Sequence, residues 1–190
     1  MKEGKRKFDI RSHGGNLDEV EIQRRIASVC KLGIVELGVL FGETTKLYCQ
    51  ANPDIPIYGI DPIIPDSKND KLIGSKERIL NNTHGCNFTF IQDYSYNVVQ
   101  GWDKPFDYLF IDASHLYPDV YIDFIDWFPL LAPGGFLAFH DSAKRYGGPH
   151  HWDGPSDLVK DIIEGRIRPF RYMPKFYDMV NSLTIFRKCS

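Results

Sequence analysis

The sequence lacks the features that mark membrane, secreted or nucleic-acid-binding proteins. No apolar stretch approaches the ~20 residues of a membrane-spanning helix, because proline and glycine interrupt even "FPLLAPGGFLAFH". The basic start, "MKEGKRKFDIRSHGG", has no apolar block of the kind a secretory signal needs. With 23 basic and 25 acidic residues, the formal charge of -2 gives no electrostatic reason to bind nucleic acid or an anionic membrane. We therefore expect a cytoplasmic protein that acts on a small molecule.

Cysteine is scarce, and its spacing is uninformative. Cys30, Cys49, Cys86 and Cys189 are scattered without a CxxC pair, which argues against a zinc site. Their neighbours offer no group that would activate a catalytic thiol. We expect four reduced thiols, as is usual in the cytosol.

The apolar segments predict one α/β domain. The chain has 190 residues and 43% hydrophobic content, the usual size and composition of a single globular unit. Residues 1–16 are predicted to form a flexible N-terminal arm, with a substrate lid as the alternative, and residues 17–190 the domain. An amphipathic helix over 17–30 is followed by strands that alternate with helices, the strands lying at 33–37, 55–60, 88–92, 106–112 and 134–141.

The composition of these strands predicts how the sheet is built. They are rich in isoleucine, valine, leucine and phenylalanine without polar alternation, so we expect a parallel sheet that is covered by helices on both faces. Two later strands, at 170–179 and 181–188, are joined by a short turn and must pair antiparallel. The predicted architecture is a single doubly wound domain.

Polar residues follow each predicted parallel strand. Sheets of this kind bind their ligands at the carboxyl ends of the strands. Any one of these residues alone could be a helix cap or a turn residue, but their recurrence at all five strand ends favours one shared ligand site. The residues are Glu36, Asp61, Gln92, Asp93, Asp112, His140 and Asp141.

The first strand is followed by two glycines in "ELGVLFGETT". Gly38 and Gly42 have the spacing G-x-x-x-G, which is neither the dinucleotide motif nor a P-loop. We expect Gly38 to make a tight turn and Gly42 to let a ligand approach the backbone. Glu36 would repel a diphosphate and suits a cationic or zwitterionic ligand. Asp61, about 20 residues beyond the glycines, can accept hydrogen bonds from both hydroxyls of a ribose.

Together these features resemble the class I S-adenosylmethionine-dependent methyltransferases. The most specific stretch, "FDYLFIDASHLYPDVYIDFIDWFPLLAPGGFLAFHD", resembles the small O-methyltransferases, in particular the macrocin and sugar O-methyltransferases, and more distantly catechol O-methyltransferase. The resemblance implies a Rossmann-like, seven-stranded, mostly parallel sheet with an antiparallel C-terminal strand. It also implies transfer of the methyl group of S-adenosylmethionine to a hydroxyl of a sugar or small molecule.

The resemblance assigns cofactor roles to the strand-end residues. Glu36, Gly38 and the loop to Gly42 would surround the methionine part of S-adenosylmethionine, and Asp61 would hold the ribose. Gln92 and Asp93 would lie beside the adenine. The sulfonium methyl would point towards Asp112.

The resemblance also implies a divalent cation, Mg or Mn, at Asp112 and Asp141. Such a cation lowers the pKa of an acceptor hydroxyl and orients its oxygen for attack on the methyl carbon. His140 stands where the family carries a second acid, and a histidine in the ligand set favours manganese, iron or zinc somewhat more than magnesium. His140 could instead be a core histidine.

His115 is the candidate general base. It lies three residues after Asp112, where catechol O-methyltransferase relatives carry a lysine that takes the substrate proton, and an imidazole can do the same. The alternative is that His115 caps the loop before Pro118.

The edge of the acceptor pocket is expected to come from loops. Tyr94 and Tyr117 lie close enough to strand ends to contact a ligand, and Trp152 or one of His150 and His151 is predicted to touch the acceptor. Another subunit of a homo-oligomer is a further way to complete the pocket.

Two other function classes are compatible with the sequence. Nicotinamide-dependent oxidoreductases share the strand and helix pattern, although this chain lacks the third glycine and a Tyr-x-x-x-Lys pair. A non-catalytic binding protein built on a methyltransferase fold would account for the altered His140-Asp141 pair. N-methylation is also compatible with the resemblance.

Overall fold

A computed structural model describes residues 18–65, 73–143, 153–167, 170 and 173–189. The predicted arm at 1–16 and the loop residues His150, His151 and Trp152 lie outside these ranges. Among the described residues, no helix has both the length and the apolar character needed to cross a bilayer.

The described ranges contain six α-helices and seven strands. The helices are α1 Glu19–Val29, α2 Glu43–Ala51, α3 Lys76–Asn82, α4 Ser95–Val98, α5 Tyr117–Trp127 and α6 Asp153–Ile163. The strands are β1 Ile34–Leu37, β2 Ile57–Ile60, β3 Phe88–Ile91, β4 Tyr108–Ile111, β5 Phe136–Phe139, β6 Pro174–Val180 and β7 Leu183–Lys188.

The seven strands form one sheet, in the order β3-β2-β1-β4-β5-β7-β6. Strands β1 to β5 are mutually parallel, whereas β7 pairs antiparallel with both β5 and β6. The predicted doubly wound fold with an antiparallel C-terminal strand is confirmed. From β1 the chain builds outward to β2 and β3 and then returns to β4 on the other side, so a crevice opens at the carboxyl ends of β1 and β4.

Helices cover both faces of the sheet, as the apolar strands require. Strands β1, β4 and β5 are buried at every position. On one face, α1 and α2 pack against the sheet in a cluster that includes Ile22, Ile26, Tyr48, Tyr108 and Phe110. On the other face, α5 and α6 complete a cluster that includes Phe124, Trp127, Leu137, Leu158 and Val159.

Helix α3 is shorter than its sequence pattern predicts. The alternation of strands and helices predicts a helix over 71–82, "KLIGSKERILNN", but the helix begins at Lys76 because Ser75 caps it by accepting a hydrogen bond from the Arg78 N–H. The Ser75 N–H in turn donates to the carbonyl of Leu40, 2.9 Å away. This bond joins the start of α3 to the loop after β1.

The prediction of four reduced thiols is wrong for two of them. Cys49 in α2 and Cys86, which follows α3, form a disulfide with their Cα atoms 5.6 Å apart, while Cys30 and Cys189 are free. The two partners are 37 residues apart in the chain. Packing of α2 beside α3 brings them together, and no spacing motif announces that packing.

Candidate active site

A cleft of ≈ 630 Å³ opens at the carboxyl ends of β1 and β4. Ligand pockets for small molecules commonly have volumes of about 300–1,000 Å³, so one cofactor and an acceptor group fit here. Most of the predicted site residues line it, namely Glu36, Gly38, Asp61, Asp112, His115, His140 and Asp141.

Gly38 brings the loops after β1 and β4 into contact. Its φ of +86° lies in the left-handed region, and a Cβ atom there would sit only 2.1 Å from the carbonyl oxygen of Asp112. The Gly38 N–H donates to Ile60, and the Asp112 N–H donates to Leu37. The tight turn predicted for Gly38 is present, and it also gives the β4 loop its position.

Asp61 binds the backbone of two turns. Its Oδ2 accepts hydrogen bonds from the N–H groups of Val39 and Leu40, both at 2.8 Å, and its Oδ1 accepts one from Ile63 at 2.7 Å. Leu40 and Ile63 have φ angles of +52° and +55°, which are costly for non-glycine residues and most of all for a β-branched one. Asp61 therefore stabilises two strained turns, and it has lone pairs left for a further hydrogen bond.

Glu36 is a buried acid at the floor of the cleft. Its side chain accepts a 2.5 Å hydrogen bond from the hydroxyl of Thr45 in α2. Burial raises its pKa from 4.5 to about 8; the Thr45 bond opposes this shift, and the nearby charges of Asp112 and Asp61 add to it. At neutral pH the unliganded site therefore favours a protonated Glu36.

Asp112, His115 and Asp141 converge beside Glu36. Each offers one metal-binding atom, and the three atoms lie within 4.8 Å of one another. Asp141 is 7% exposed, and its buried Oδ1 accepts no hydrogen bond from the described part of the chain. Burial opposes ionisation of Asp141, but the neighbouring His115 and His140 outweigh it and hold the pKa of this acid well below its usual range.

Ser114 distinguishes the two interpretations of His115. The Ser114 hydroxyl accepts a hydrogen bond from the Leu116 N–H and donates one to Asp119, so Ser114 caps the loop before α5. His115 instead places its Nε2 3.3 Å from Asp141 Oδ2. This placement favours a role in the cleft over a loop cap.

His140 lines the cleft and contacts three acids. Its Nδ1 lies 3.2 Å from Asp112 Oδ1 and 3.3 Å from Asp141 Oδ2, while its Nε2 lies 2.6 Å from Glu19 Oε1. Burial disfavours its charge, yet Asp112, Asp141 and Glu19 outweigh it and hold the pKa of His140 well above its ordinary value. The structure favours a site residue over an inert core histidine.

The strands that carry this geometry also match a known family. A family model described as a methyltransferase domain matches residues 35–142, which run from β1 to just beyond β5. The chain belongs to this methyltransferase family. The predicted class is thereby confirmed.

The methyltransferase is similar to one viral protein and to solved methyltransferase structures. It is 28% identical over 146 residues to the uncharacterized protein R132 of Acanthamoeba polyphaga mimivirus, a match that covers 74% of this chain and 65% of that protein. The chain thus spans just under two thirds of that relative's length.

Two solved structures share the fold at low identity. One is the O-methyltransferase TomG of Streptomyces achromogenes, in complex with SAM, with a TM-score of 0.63 and 16% identity over 90% of this chain and 79% of that one. The other is the methyltransferase MycE of the mycinamycin pathway, in complex with Mg, SAH and mycinamycin VI, with a TM-score of 0.57 and 20% identity over 83% of this chain and 44% of that one. At these identities the likeness shows a common fold.

Three predicted cofactor residues of the methyltransferase do not line the cleft. Gly42 is the N-cap residue before α2, with φ +76°, and a Cβ there would lie 3.2 Å from Ile79 Cα, so this glycine lets α2 and α3 pack closely. Asp93 accepts hydrogen bonds from Asn97 and from the Tyr94 N–H, which lower its pKa. Gln92, like Asp93, is exposed. Their predicted roles stay predictions.

The residues after Asp93 line the cleft instead. Tyr94 and Tyr96 stack with their ring centroids 5.1 Å apart, and both lie at the rim. Tyr117 stands outside the lining, because its hydroxyl donates to Asp161 and its ring stacks on Tyr121. The sequence therefore predicts the position of Tyr94 near the cleft but not that of Tyr96.

Two acids at the site, the buried Asp123 and the half-buried Glu19, gave no signal in the sequence. Asp123 of α5 lines the cleft, accepts a hydrogen bond from Ser95, and has a pKa that burial raises to about 6. Glu19 of α1 reaches the site from the other side, through His140. Both lie in helices whose pattern predicts an ordinary polar face.

Proposed function

We propose that this methyltransferase moves the methyl group of S-adenosylmethionine to a hydroxyl oxygen of a sugar or small molecule. The observation that carries the proposal is that one cleft joins the buried Glu36 to the cluster of Asp112, His115 and Asp141. The first suits a cationic amino-acid group, and the second suits activation of a hydroxyl. The known O-methyltransferase TomG, which has the same fold, supports it.

The cofactor is expected to enter along the β1 and β2 side of the cleft. Gly38 leaves room for it at the backbone, Glu36 faces its ammonium group, and Asp61 offers its remaining lone pairs to the ribose hydroxyls. Bound in this way, the cofactor would present its sulfonium methyl towards Asp112. In the reaction, a lone pair of the acceptor oxygen forms the new bond to the methyl carbon while the carbon–sulfur pair leaves with sulfur.

Asp112 and Asp141 are the residues proposed to hold a divalent cation. The buried Oδ1 of Asp141, without a hydrogen bond from any described residue, fits a cation ligand, and a nearby imidazole makes the donor set more suited to manganese than to magnesium. When bound, the cation would lower the pKa of the acceptor hydroxyl and orient it. The Mg in the MycE complex supports this part of the proposal.

His115 is proposed to take the proton that the acceptor hydroxyl releases. Its Nε2 faces the cleft side of Asp141, at 3.3 Å, so the acid can stabilise the imidazolium that forms. The same nitrogen is also close enough to Asp112 and Asp141 to be a cation ligand. While it binds a cation, it has no lone pair left to take the proton of the acceptor hydroxyl.

Ligand binding tests the proposed cofactor directly. We expect S-adenosylmethionine and S-adenosylhomocysteine to raise the melting temperature, since ligand at 100 times its dissociation constant adds about 2.7 kcal/mol to the unfolding free energy. NADH is the matched comparison for the oxidoreductase alternative. Tritium from S-adenosyl-[methyl-³H]methionine should then appear in hydroxyl compounds such as sugars and catechols. A shift with NADH alone would overturn the proposal.

The pKa of Glu36 predicts that cofactor affinity depends on pH. Because binding the ammonium group requires the Glu36 carboxylate, and the free protein holds it protonated below pH about 8, binding must release a proton there. We expect the affinity for S-adenosylhomocysteine to rise by up to about tenfold per pH unit between roughly pH 5.5 and 7.5. Isothermal titration at several pH values measures this dependence.

Glu36→Gln is the control for that prediction. It should bind S-adenosylhomocysteine weakly and with little change over the same pH range. Equal pH slopes in the wild type and Glu36→Gln would show that Glu36 does not contact the ammonium group.

The free protein should also lose stability as the pH rises from about 4.5 to about 8, because its folded state binds the Glu36 proton more tightly than the unfolded chain does.

A further inference from the structure

Glu19 ties the first helix to the site. It is the first residue of α1, and its Oε1 lies 2.6 Å from His140 Nε2. The hydroxyl of Ser182, in the turn between β6 and β7, donates to the same carboxylate at 3.1 Å. Glu19 and Ser182 both lie outside the family match at 35–142. Two partners thus fix the orientation of this carboxylate.

The other nitrogen of His140 faces the proposed cation ligands. Nδ1 lies 3.2 Å from Asp112 Oδ1 and 3.3 Å from Asp141 Oδ2. The angles at this buried nitrogen do not fit a hydrogen bond to either oxygen, or to another described residue. Ligand atoms that sit about 2.1 Å from one cation, at right angles, are themselves about 3 Å apart. The spacing around Nδ1 is therefore that of neighbouring ligands.

A carboxylate on one imidazole nitrogen determines what the other nitrogen can do. The surrounding acids favour a protonated ring in the free protein, so a cation that binds here must displace the proton of Nδ1. With Nε2 still donating its proton to Glu19, the neutral ring then presents the lone pair of Nδ1 to the opposite side. Histidine ligands in metal sites are commonly held in this way by an acid behind them. The same spatial order is present here: Glu19 lies behind His140, and His140 faces the pair Asp112 and Asp141.

We propose that Glu19 is a positioning residue that orients His140, so that Nδ1 of this histidine completes the cation site of Asp112 and Asp141. The inference rests on the proposed function for the presence of a cation. It gives the two histidines different roles, because His140 then serves as the ligand and His115 takes the acceptor proton. It also means that α1 contributes a residue, Glu19, to the cation site.

Manganese binding tests the inference without any acceptor. Free Mn²⁺ is measured by electron paramagnetic resonance during titration of the full chain, alongside S-adenosylhomocysteine binding by calorimetry. We expect Glu19→Ala to weaken Mn²⁺ binding by about 10- to 100-fold, as the loss of such a supporting acid usually does. Glu19→Gln, whose amide oxygen can still accept from Nε2, should recover part of that loss. Affinity for S-adenosylhomocysteine should stay within a few-fold of wild type.

Glu21→Gln is the matched control, since Glu21 lies on the same helix and pairs with Arg25 at the surface. It should bind Mn²⁺ like the wild type, and circular dichroism of all three variants checks that α1 remains folded. Equal Mn²⁺ affinity in Glu19→Ala and wild type would overturn the inference, as would a wild type that binds S-adenosylhomocysteine but no Mn²⁺. Failure to bind S-adenosylhomocysteine would instead contradict the proposed function, and the Mn²⁺ series would still decide the role of Glu19.

Discussion

Gly38→Ala is expected to unfold the site and to lower the melting temperature by roughly 5 to 15 °C. The new Cβ would lie 2.1 Å from the Asp112 carbonyl oxygen, and the φ of +86° is itself unfavourable for alanine. Overpacking and strain of this kind each cost about 1–3 kcal/mol, and each kcal/mol corresponds to about 2–4 °C in a domain of this size. Because the β4 loop must move, binding of S-adenosylhomocysteine should fall at least about 100-fold.

Two other glycines serve as controls that separate the steric clash of the new Cβ from the backbone strain of a positive φ. Gly85 has φ +80° with nothing within 4 Å of its would-be Cβ, so Gly85→Ala measures backbone strain alone. Gly101 has neither strain nor a close neighbour, and Gly101→Ala should leave stability within about 0.5 kcal/mol of wild type. Thermal melts of the three variants rank the effects. If Gly38→Ala melts no lower than Gly85→Ala, the contact between the two loops is not what Gly38 protects.

Asp112→Asn is expected to reduce methyl transfer about 10²- to 10³-fold while the cofactor still binds. The side chain lies beside His140 and the Asp141 cluster, so the change removes a charged oxygen where a cation and the acceptor would meet. Loss of several kcal/mol of transition-state stabilisation gives a rate effect of this size. The rate is measured as tritium transfer to the best acceptor found among sugars and catechols.

The comparison that isolates the site is Asp103→Asn, which neutralises an exposed acid paired only with Lys104 among the described residues. Its transfer rate and Mn²⁺ affinity should match the wild type. Asp112→Asn should also lose Mn²⁺ binding, and it should keep the S-adenosylhomocysteine affinity within about tenfold. Undiminished transfer in Asp112→Asn would exclude Asp112 from the chemistry and favour a base acting without a cation.

The sequence was sufficient to predict the sheet and the position of the site, because both follow from local patterns. Apolar runs flanked by turn residues mark buried parallel strands, and each strand delivers its last polar residue to the same edge. Asp112 and His140 were therefore predictable as neighbours, although 28 positions separate them in the chain. The family resemblance added the chemistry, which the pattern alone does not supply.

The partners of those residues depend on packing between distant segments. Glu19 reaches His140 only because α1 packs on the sheet, and Ser182 fixes it only because β7 inserts beside β5. Cys49 and Cys86 meet for a similar reason. No periodicity or spacing in the sequence encodes such contacts, so these partners could not be predicted from it.

Asp61 links the proposed ribose contact to the shape of the two loops that it holds. In the free protein this carboxylate is already occupied by the N–H groups of Val39, Leu40 and Ile63, two of which belong to turns with unfavourable φ angles. A ribose bound at Asp61, as proposed, would share an acceptor with the backbone and so change the stability of these turns. Cofactor affinity and the conformation of both loops are then two readouts of a single equilibrium.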